Sequence, residues 1–241
     1  DIGINSDLQV DGIIQRRVAR GTRNFEKLTP AMDTEETLEA ISIGIGMVKE
    51  LSDKGYGIIA VGEMGIGNTT TAGAVCMALT NSPVSEVIGR GAGLDDARLI
   101  KKKYVIEGAI KRFDLELADP LGILSCVGGL DIAGLVGVYI GGALCHIPVV
   151  IDGAIAAAAA LCAQRLLPGV REYMLASHIG REGTSKIALK ELGLRGVIDA
   201  DLALGEGTGA VMLFPLLDMA LSVYNNRTTF DDLRMEEYKR F

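Results

Sequence analysis

An α/β fold is predicted: a mostly parallel, doubly wound (Rossmann-like) sheet with helices on both faces, plus a small helical annex. Three observations predict it. Short continuous apolar runs, of the kind that form strands buried on both sides, alternate with longer segments of helical periodicity. Two of these runs open into glycine-rich loops that lead into helices. The 241 residues include 31 glycines and no tryptophan, a composition suited to helices packed closely on a sheet. That length accommodates one large core, read here as residues 1–212, with residues 213–241 contributing to the helical annex.

From the start of the chain, Ile2-Gly3-Ile4-Asn5 reads as the tail of a strand. The chain opens on Asp1 without a methionine or a signal peptide, which suggests a fragment or processed product. Asp33-Thr34-Glu35-Glu36 has the form of a capping box, Leu38, Ile41, Ile45 and Val48 repeat at helical spacing, and Gly55 closes the helix. Gly57 to Val61 is a buried strand. It leads into the loop Gly62-Glu63-Met64-Gly65-Ile66-Gly67, after which Asn68 or Thr69 is expected to cap a helix running to about Thr80.

Asp95 to Arg112 reads as a charged amphipathic helix with Leu99, Tyr104, Ile106 and Ile110 on its apolar side. The stretch from Ile132 to Ile151 is long enough to span a bilayer, and Gly137 and Gly141 have the spacing of membrane helix pairs. Pro148 interrupts it and Asp131 and Asp152 flank it, so helix, short buried strand (Ile147 to Ile151) and Ala-rich helix is the better reading, with no membrane partner. Tyr173 to Ala176 and Val197-Ile198 are later strand candidates. Thr208 to Tyr224 is a helix behind the second glycine loop, Gly205-Glu206-Gly207-Thr208-Gly209, with Pro215 a candidate break.

Composition narrows the function. A net charge of −7 argues against a nucleic-acid partner, because a phosphate backbone requires a basic face. Cys76, Cys126, Cys145 and Cys162 lie far apart in apolar surroundings and read as small hydrophobes of a reducing, cytoplasmic compartment. With His146 and His178 the only histidines, no metal site is expected.

The two loops carry the chemistry. Glycines let a backbone approach a ligand closely, and a helix N-terminus behind them favours an anion. A carboxylate in such a loop repels the anion, so its natural use is proton transfer or holding sugar hydroxyls beside a phosphate. The P-loop is excluded because Asn68 stands where its lysine belongs. The dinucleotide fingerprint fails because no third glycine follows Gly67 at its spacing. Either loop alone is as readily a tight turn; together they suggest one site for a phosphorylated sugar.

Six segments in order, Gly62 to Thr70, Gly89-Arg-Gly-Ala-Gly-Leu-Asp-Asp96, Asp119-Pro-Leu121, Val127-Gly-Gly129, Ala176-Ser-His178 and Leu204-Gly-Glu-Gly-Thr-Gly-Ala210, extend over essentially the whole chain. Gly21-Thr22-Arg23-Asn24 and Pro30-Ala31-Met32 lengthen the match. Together they resemble the nicotinate-nucleotide:dimethylbenzimidazole phosphoribosyltransferases of cobamide assembly. Members of that family are longer, with further residues before the point matching Asp1 that contribute to the aromatic-base pocket.

The resemblance implies transfer of ribose 5-phosphate from nicotinate mononucleotide to 5,6-dimethylbenzimidazole by a homodimer, without metal or other cofactor. It makes Glu206 the general base, with Leu202, Leu204 and Val211 as apolar neighbours that desolvate and strengthen it. Glu63 becomes the second loop carboxylate, orienting ribose or stabilising positive charge on the sugar. Gly65, Gly67, Asn68 and Thr69 then offer backbone and side-chain donors to the phosphate, joined by Gly205, Gly207 and the cation Lys102. Met64 and Leu204 fall in the base pocket. Lys102 sits among Lys101 and Lys103, and an exposed helix lysine is its plainer reading. For His178 a structural role is at least as good as a catalytic one.

Two departures from the family bear on the acceptor. Ala154, Ala156 and Ala157 replace an aromatic residue and serines, and Arg181-Glu182-Gly183-Thr184 replaces Glu-Pro-Gly-His. Transfer to adenine or a phenol, a catalytically silent nucleotide-binding subunit, and a sugar-phosphate enzyme sharing only the fold are the alternatives.

Overall fold

The computed structural model describes residues 1–7, 10–91, 93–116, 118–226, 228–229 and 232–236. Helix α1 (Thr34–Asp53) begins at the expected capping box: Asp33 accepts the Glu36 N–H while the Glu36 side chain accepts the Asp33 N–H. Strand β1 (Ile59–Ala60) follows, then α2 (Asn68–Thr80), the short α3 (Val84–Val87) and α4 (Asp96–Arg112) capped by Asp95. Next come α5 (Pro120–Val127), α6 (Leu130–Leu144), β2 (Val149–Ile151) and α7 (Ala154–Leu166). Strand β3 (Met174–Ala176), α8 (Gly183–Leu192) and α9 (Thr208–Asn225) complete the order.

The three strands are parallel, in the order β1-β2-β3, with Ile59 opposite Val149 and Val150 opposite Leu175. Side chains alternate across β2. Val149 and Ile151 enter the main core with α6 and α7, whereas Val150 packs on Ala210 and Leu213 of α9. Helices therefore cover both faces, which is why the Ile147–Ile151 run is continuously apolar.

The helix–strand–helix reading of the long apolar stretch holds, and its glycines have a packing role. Gly137 of α6 lies against Gly44 of α1, and Gly141 against Val48, so close that a Cβ at Gly44 would stand 2.8 Å from the Val138 nitrogen. The Gly137/Gly141 spacing thus serves a helix pair inside the protein core.

Several elements differ from expectation. Residues 2–5 form no strand: the Ile2 and Gly3 carbonyls instead accept from Val18 and Gly21 in an irregular loop. Val197-Ile198 makes only an isolated parallel bridge to His178. Neither Asn68 nor Thr69 caps α2, because Gly67 holds that position in the left-handed conformation at φ 82°. Tyr104, assigned to the apolar side of α4, is exposed, while Ile106 and Ile110 are buried. Cys76 and Cys162 are buried, Cys126 and Cys145 half-buried, and all four are free thiols.

Pro215 lies inside α9 without dividing it. The helix runs through the expected 212/213 boundary, and residues 227, 230, 231 and 237–241 of the proposed annex lie outside the described residues. Among the described helices α9 alone is long and apolar enough to cross a membrane by length and composition, with 17% of it buried. Ala210 and Leu213 in its first turns pack on β2, whereas Met212 between them and Met219, Leu221 and Val223 further on are exposed.

Candidate active site

The first glycine loop leaves the carboxyl end of β1, where ligands sit in open parallel folds; the second follows irregular chain after the Ile198 bridge, and the two touch. A Cβ on Gly62 would stand 2.6 Å from the Gly207 Cα, so the two backbones meet with no room for a side chain between them. A Cβ on Gly205 would stand 3.9 Å from Glu63 Oε1. The structure therefore brings Glu63, Gly205, Glu206 and Gly207 into one place.

The second loop is conformationally strained. Gly205, Glu206 and Gly207 have φ of 81°, 59° and 81°, three left-handed residues in succession, one of them not glycine. No side chain of the loop itself caps α9. Asp152, at the end of β2, supplies the cap: Oδ2 accepts the Gly207 N–H and Oδ1 the Ala210 N–H, each at 3.1 Å. Asp152 is 2% exposed. The sequence reading assigned it no role, although an aspartate directly after a buried apolar strand was the available signal.

His178 lies beneath the same helix start, with its ring filling the space a Cβ on Gly209 would need. Ser177 Oγ donates to the Ile151 carbonyl at 2.6 Å, which leaves that oxygen to accept from His178 Nδ1–H at 2.9 Å. Buried and hydrogen-bonded in this way, His178 fits the structural reading.

In the first loop Glu63 is half-buried. Its carboxyl is pushed up to about 7, chiefly by burial, with the negative charges of Asp131, Asp152 and Glu206 adding to the rise and a hydrogen bond from Asn68 opposing it. The Asn68 amide nitrogen donates to Glu63 Oε2 and, at 3.0 Å, to Asp131 Oδ2. This corrects the sequence reading of that side chain. Both amide protons are spent on carboxylates, so Asn68 joins two acids instead of offering its side-chain donors to a phosphate. The N–H groups of Gly65, Ile66, Gly67 and Thr69 donate to no other described residue, and they surround the start of α2. Open N–H donors at a helix start are the arrangement that suits an anion.

Lys102 adjoins it. Its side chain is buried, and Nζ donates to Thr69 Oγ1 at 3.1 Å and to the Gly89 carbonyl at 3.2 Å. Burial lowers its proton affinity, and the nearby Glu182 charge opposes that effect. The exposed-lysine reading is therefore wrong for this position. Glu182 also accepts the Gly91 N–H at 3.1 Å and so ties down the glycine turn beneath Lys102. No spacing in the sequence marked Glu182.

The expected apolar wall around Glu206 is not assembled. Glu206 is exposed, Leu204 is 73% exposed, and Val211 also faces outward, because α9 turns its other side to the sheet. Met64 is 79% exposed, so the two expected base-pocket residues flank an open site. Beside the first loop lies a groove of about 990 Å³, lined by Glu63, Asn68 and Asp131 at one end and by Ile2, Ile43 and Leu135 elsewhere.

Residues 1–234 match the sequence profile of the family described as Phosphoribosyltransferase. The chain belongs to this family. A nicotinate-nucleotide–dimethylbenzimidazole phosphoribosyltransferase of Acetivibrio thermocellus is 45% identical over 239 residues, covering 99% of this chain and 68% of the relative. One from Clostridium perfringens is 46% identical over 232 residues, covering 96% and 64%. Among solved structures, CobT from Thermus thermophilus superposes with a TM-score of 0.92 at 36% identity, over 99% of this chain and 71% of that one. The chain thus spans about two thirds of the length of these phosphoribosyltransferases.

Proposed function

We propose that this phosphoribosyltransferase transfers ribose 5-phosphate from nicotinate mononucleotide to 5,6-dimethylbenzimidazole, giving α-ribazole 5′-phosphate and nicotinate. The observation that supports the reading is the contact of the two carboxylate-bearing loops at Gly62 and Gly207, with the buried Lys102 donating to Thr69 in the helix that follows the first of them. The names of the relatives supply the substrates.

The chemistry suits this arrangement. In the donor, nicotinate is joined to C1′ through its ring nitrogen and is cationic, so the C1′–N bond breaks with its electron pair returning to that nitrogen and no acid is required. The acceptor's neutral ring nitrogen forms the new bond to C1′ from the opposite face, turning a β linkage into an α linkage. Glu206 removes the acceptor's other ring N–H as positive charge develops. Glu63, with an affinity for a proton near neutrality, hydrogen-bonds the ribose or faces the oxocarbenium-like carbon. Lys102 and the free N–H groups at the start of α2 hold the 5′-phosphate. Homodimeric assembly and a cytoplasmic location belong to the same proposal.

Nicotinate release, measured with and without 5,6-dimethylbenzimidazole, tests this reading. Acceptor-dependent release that falls by about a hundredfold or more in Glu206→Gln is expected for loss of a general base. Equal activity in the variant removes Glu206 from that role, and donor binding without release selects the silent nucleotide-binding reading. The same transfer to adenine or a phenol is the alternative acceptor reading. Competition among the three acceptors separates these outcomes.

A further inference from the structure

We propose that Asp131 is a positioning residue of this site: it holds the Asn68 side chain and, through it, fixes the orientation of the Glu63 carboxylate. The proposal deepens the functional reading above and rests on Glu63 being a site carboxylate. Nothing in the motif pattern assigns Asp131 a role.

Three features place it. Asp131 lies in the first turn of α6, where its charge is favoured by the helix dipole and Oδ1 accepts the Ile132 N–H at 2.9 Å. Its other oxygen, Oδ2, accepts from Asn68 at 3.0 Å. The carboxylate enters between two glycines: a Cβ on Gly65 would stand 2.6 Å from Oδ2, and one on Gly129 would meet Oδ1. Those absent side chains make the space that lets α6 reach the first loop.

An amide has two N–H donors on one nitrogen, set at a fixed angle. With one given to Asp131, the Asn68 plane is fixed and the other can meet only one orientation of Glu63. Remove Asp131 and the amide is free to rotate, so Glu63 loses its directed donor. The acidic groups facing Glu63 are Asp131 of α6, Asp152 at the end of β2 and Glu206 of the second loop, with Asn68 of α2 the neutral donor between Glu63 and Asp131. Asp131 therefore acts on Glu63 in two ways that variants separate. Asp131→Asn keeps an oxygen for Asn68, turns its own amide towards the Ile132 N–H at the part-exposed helix start and removes the charge, whereas Asp131→Ala removes oxygen and charge together.

The experiment is a carboxyl-carbon NMR titration of Glu63 in the full chain between pH 5 and 9, with Glu63→Gln used for assignment. Nicotinate-release kinetics are run alongside. The expected result is a lower Glu63 midpoint in Asp131→Asn, because a like charge has gone, with kcat within a few-fold of the parent. In Asp131→Ala kcat is expected to fall by about tenfold or more with a smaller change in KM, as a misoriented group affects the reacting geometry more than binding. An unchanged Glu63 titration in both variants overturns the proposal, as does a kcat in Asp131→Ala equal to that of Asp131→Asn. If the parent releases no nicotinate, the functional reading fails, while a Glu63 midpoint higher in Asp131→Ala than in Asp131→Asn, from loss of the directed Asn68 donor, still supports the Asp131–Asn68–Glu63 linkage and equal midpoints overturn it.

Discussion

Gly62 and Gly207 meet backbone to backbone at the point where the two carboxylate loops cross. Gly62→Ala should therefore separate the loops, since the new methyl has only main-chain atoms to displace. Overpacking of this kind costs about 1–3 kcal/mol, and a shift of the order of 1 Å in the site costs about a hundredfold in rate. Nicotinate release and a denaturant melt of the variant should show a larger loss of activity than of stability.

Asp152 should matter to both. It is buried and accepts two N–H groups, of Gly207 and Ala210, that directly follow Glu206. Hydrogen bonds to a charged group contribute about 1.5–3 kcal/mol each, so Asp152→Ala should lower the urea midpoint clearly. Asp152→Asn, which turns an N–H donor towards one of those N–H groups, should retain most of the volume yet lose most of the nicotinate-release activity. An Asn variant with parental kcat would show that the left-handed Glu206 conformation holds without this cap.

Glu63 makes a pH prediction with a definite sign. Its folded-state proton affinity is raised to about 7 from 4.5, so the folded protein holds the proton more tightly than the unfolded chain does. Its contribution to stability is present below about 4.5 and is lost as pH rises towards 7. Turnover that requires ionised Glu63 should rise through the same midpoint near 7. Thermal melts and kcat–pH profiles of the parent and Glu63→Gln measure both, and the variant should lose each dependence.

Lys102 should act on the donor. Lys102→Met keeps the buried stem and removes the charge beside Thr69. The expected outcome is a rise of about tenfold or more in KM for nicotinate mononucleotide with a smaller change in kcat, read from initial rates at fixed acceptor.

Where residues speak through their neighbours in the chain, the sequence was a sufficient guide. Asp33 and Glu36 pair within one helical turn, so the start of α1 was legible to the residue. The Ile147–Ile151 run was legible as a buried strand because apolar residues on both faces require cover on both sides. That the two glycine-rich loops, each bracketing a single acid, belong together was also suggested by the sequence, and Gly62 and Gly207 do meet.

What depended on distant partners was not. Asn68 reads as a cap or a phosphate donor until α6 brings Asp131, 63 positions on, against its amide. Asp152 becomes a helix cap only because β2 ends under a loop 55 residues later in the chain. The apolar wall around Glu206 failed for a related reason: α9 lays Ala210 and Leu213 on the sheet and so leaves Val211 outward, while Leu204 ahead of the helix is exposed as well. Local propensity and periodicity act over a few residues and so determined the elements, the loops and the two acids. Hydrogen bonds and charge repulsion act across space, and only the fold decided which acid is buried, which amide is spent and which helix start stands open to an anion.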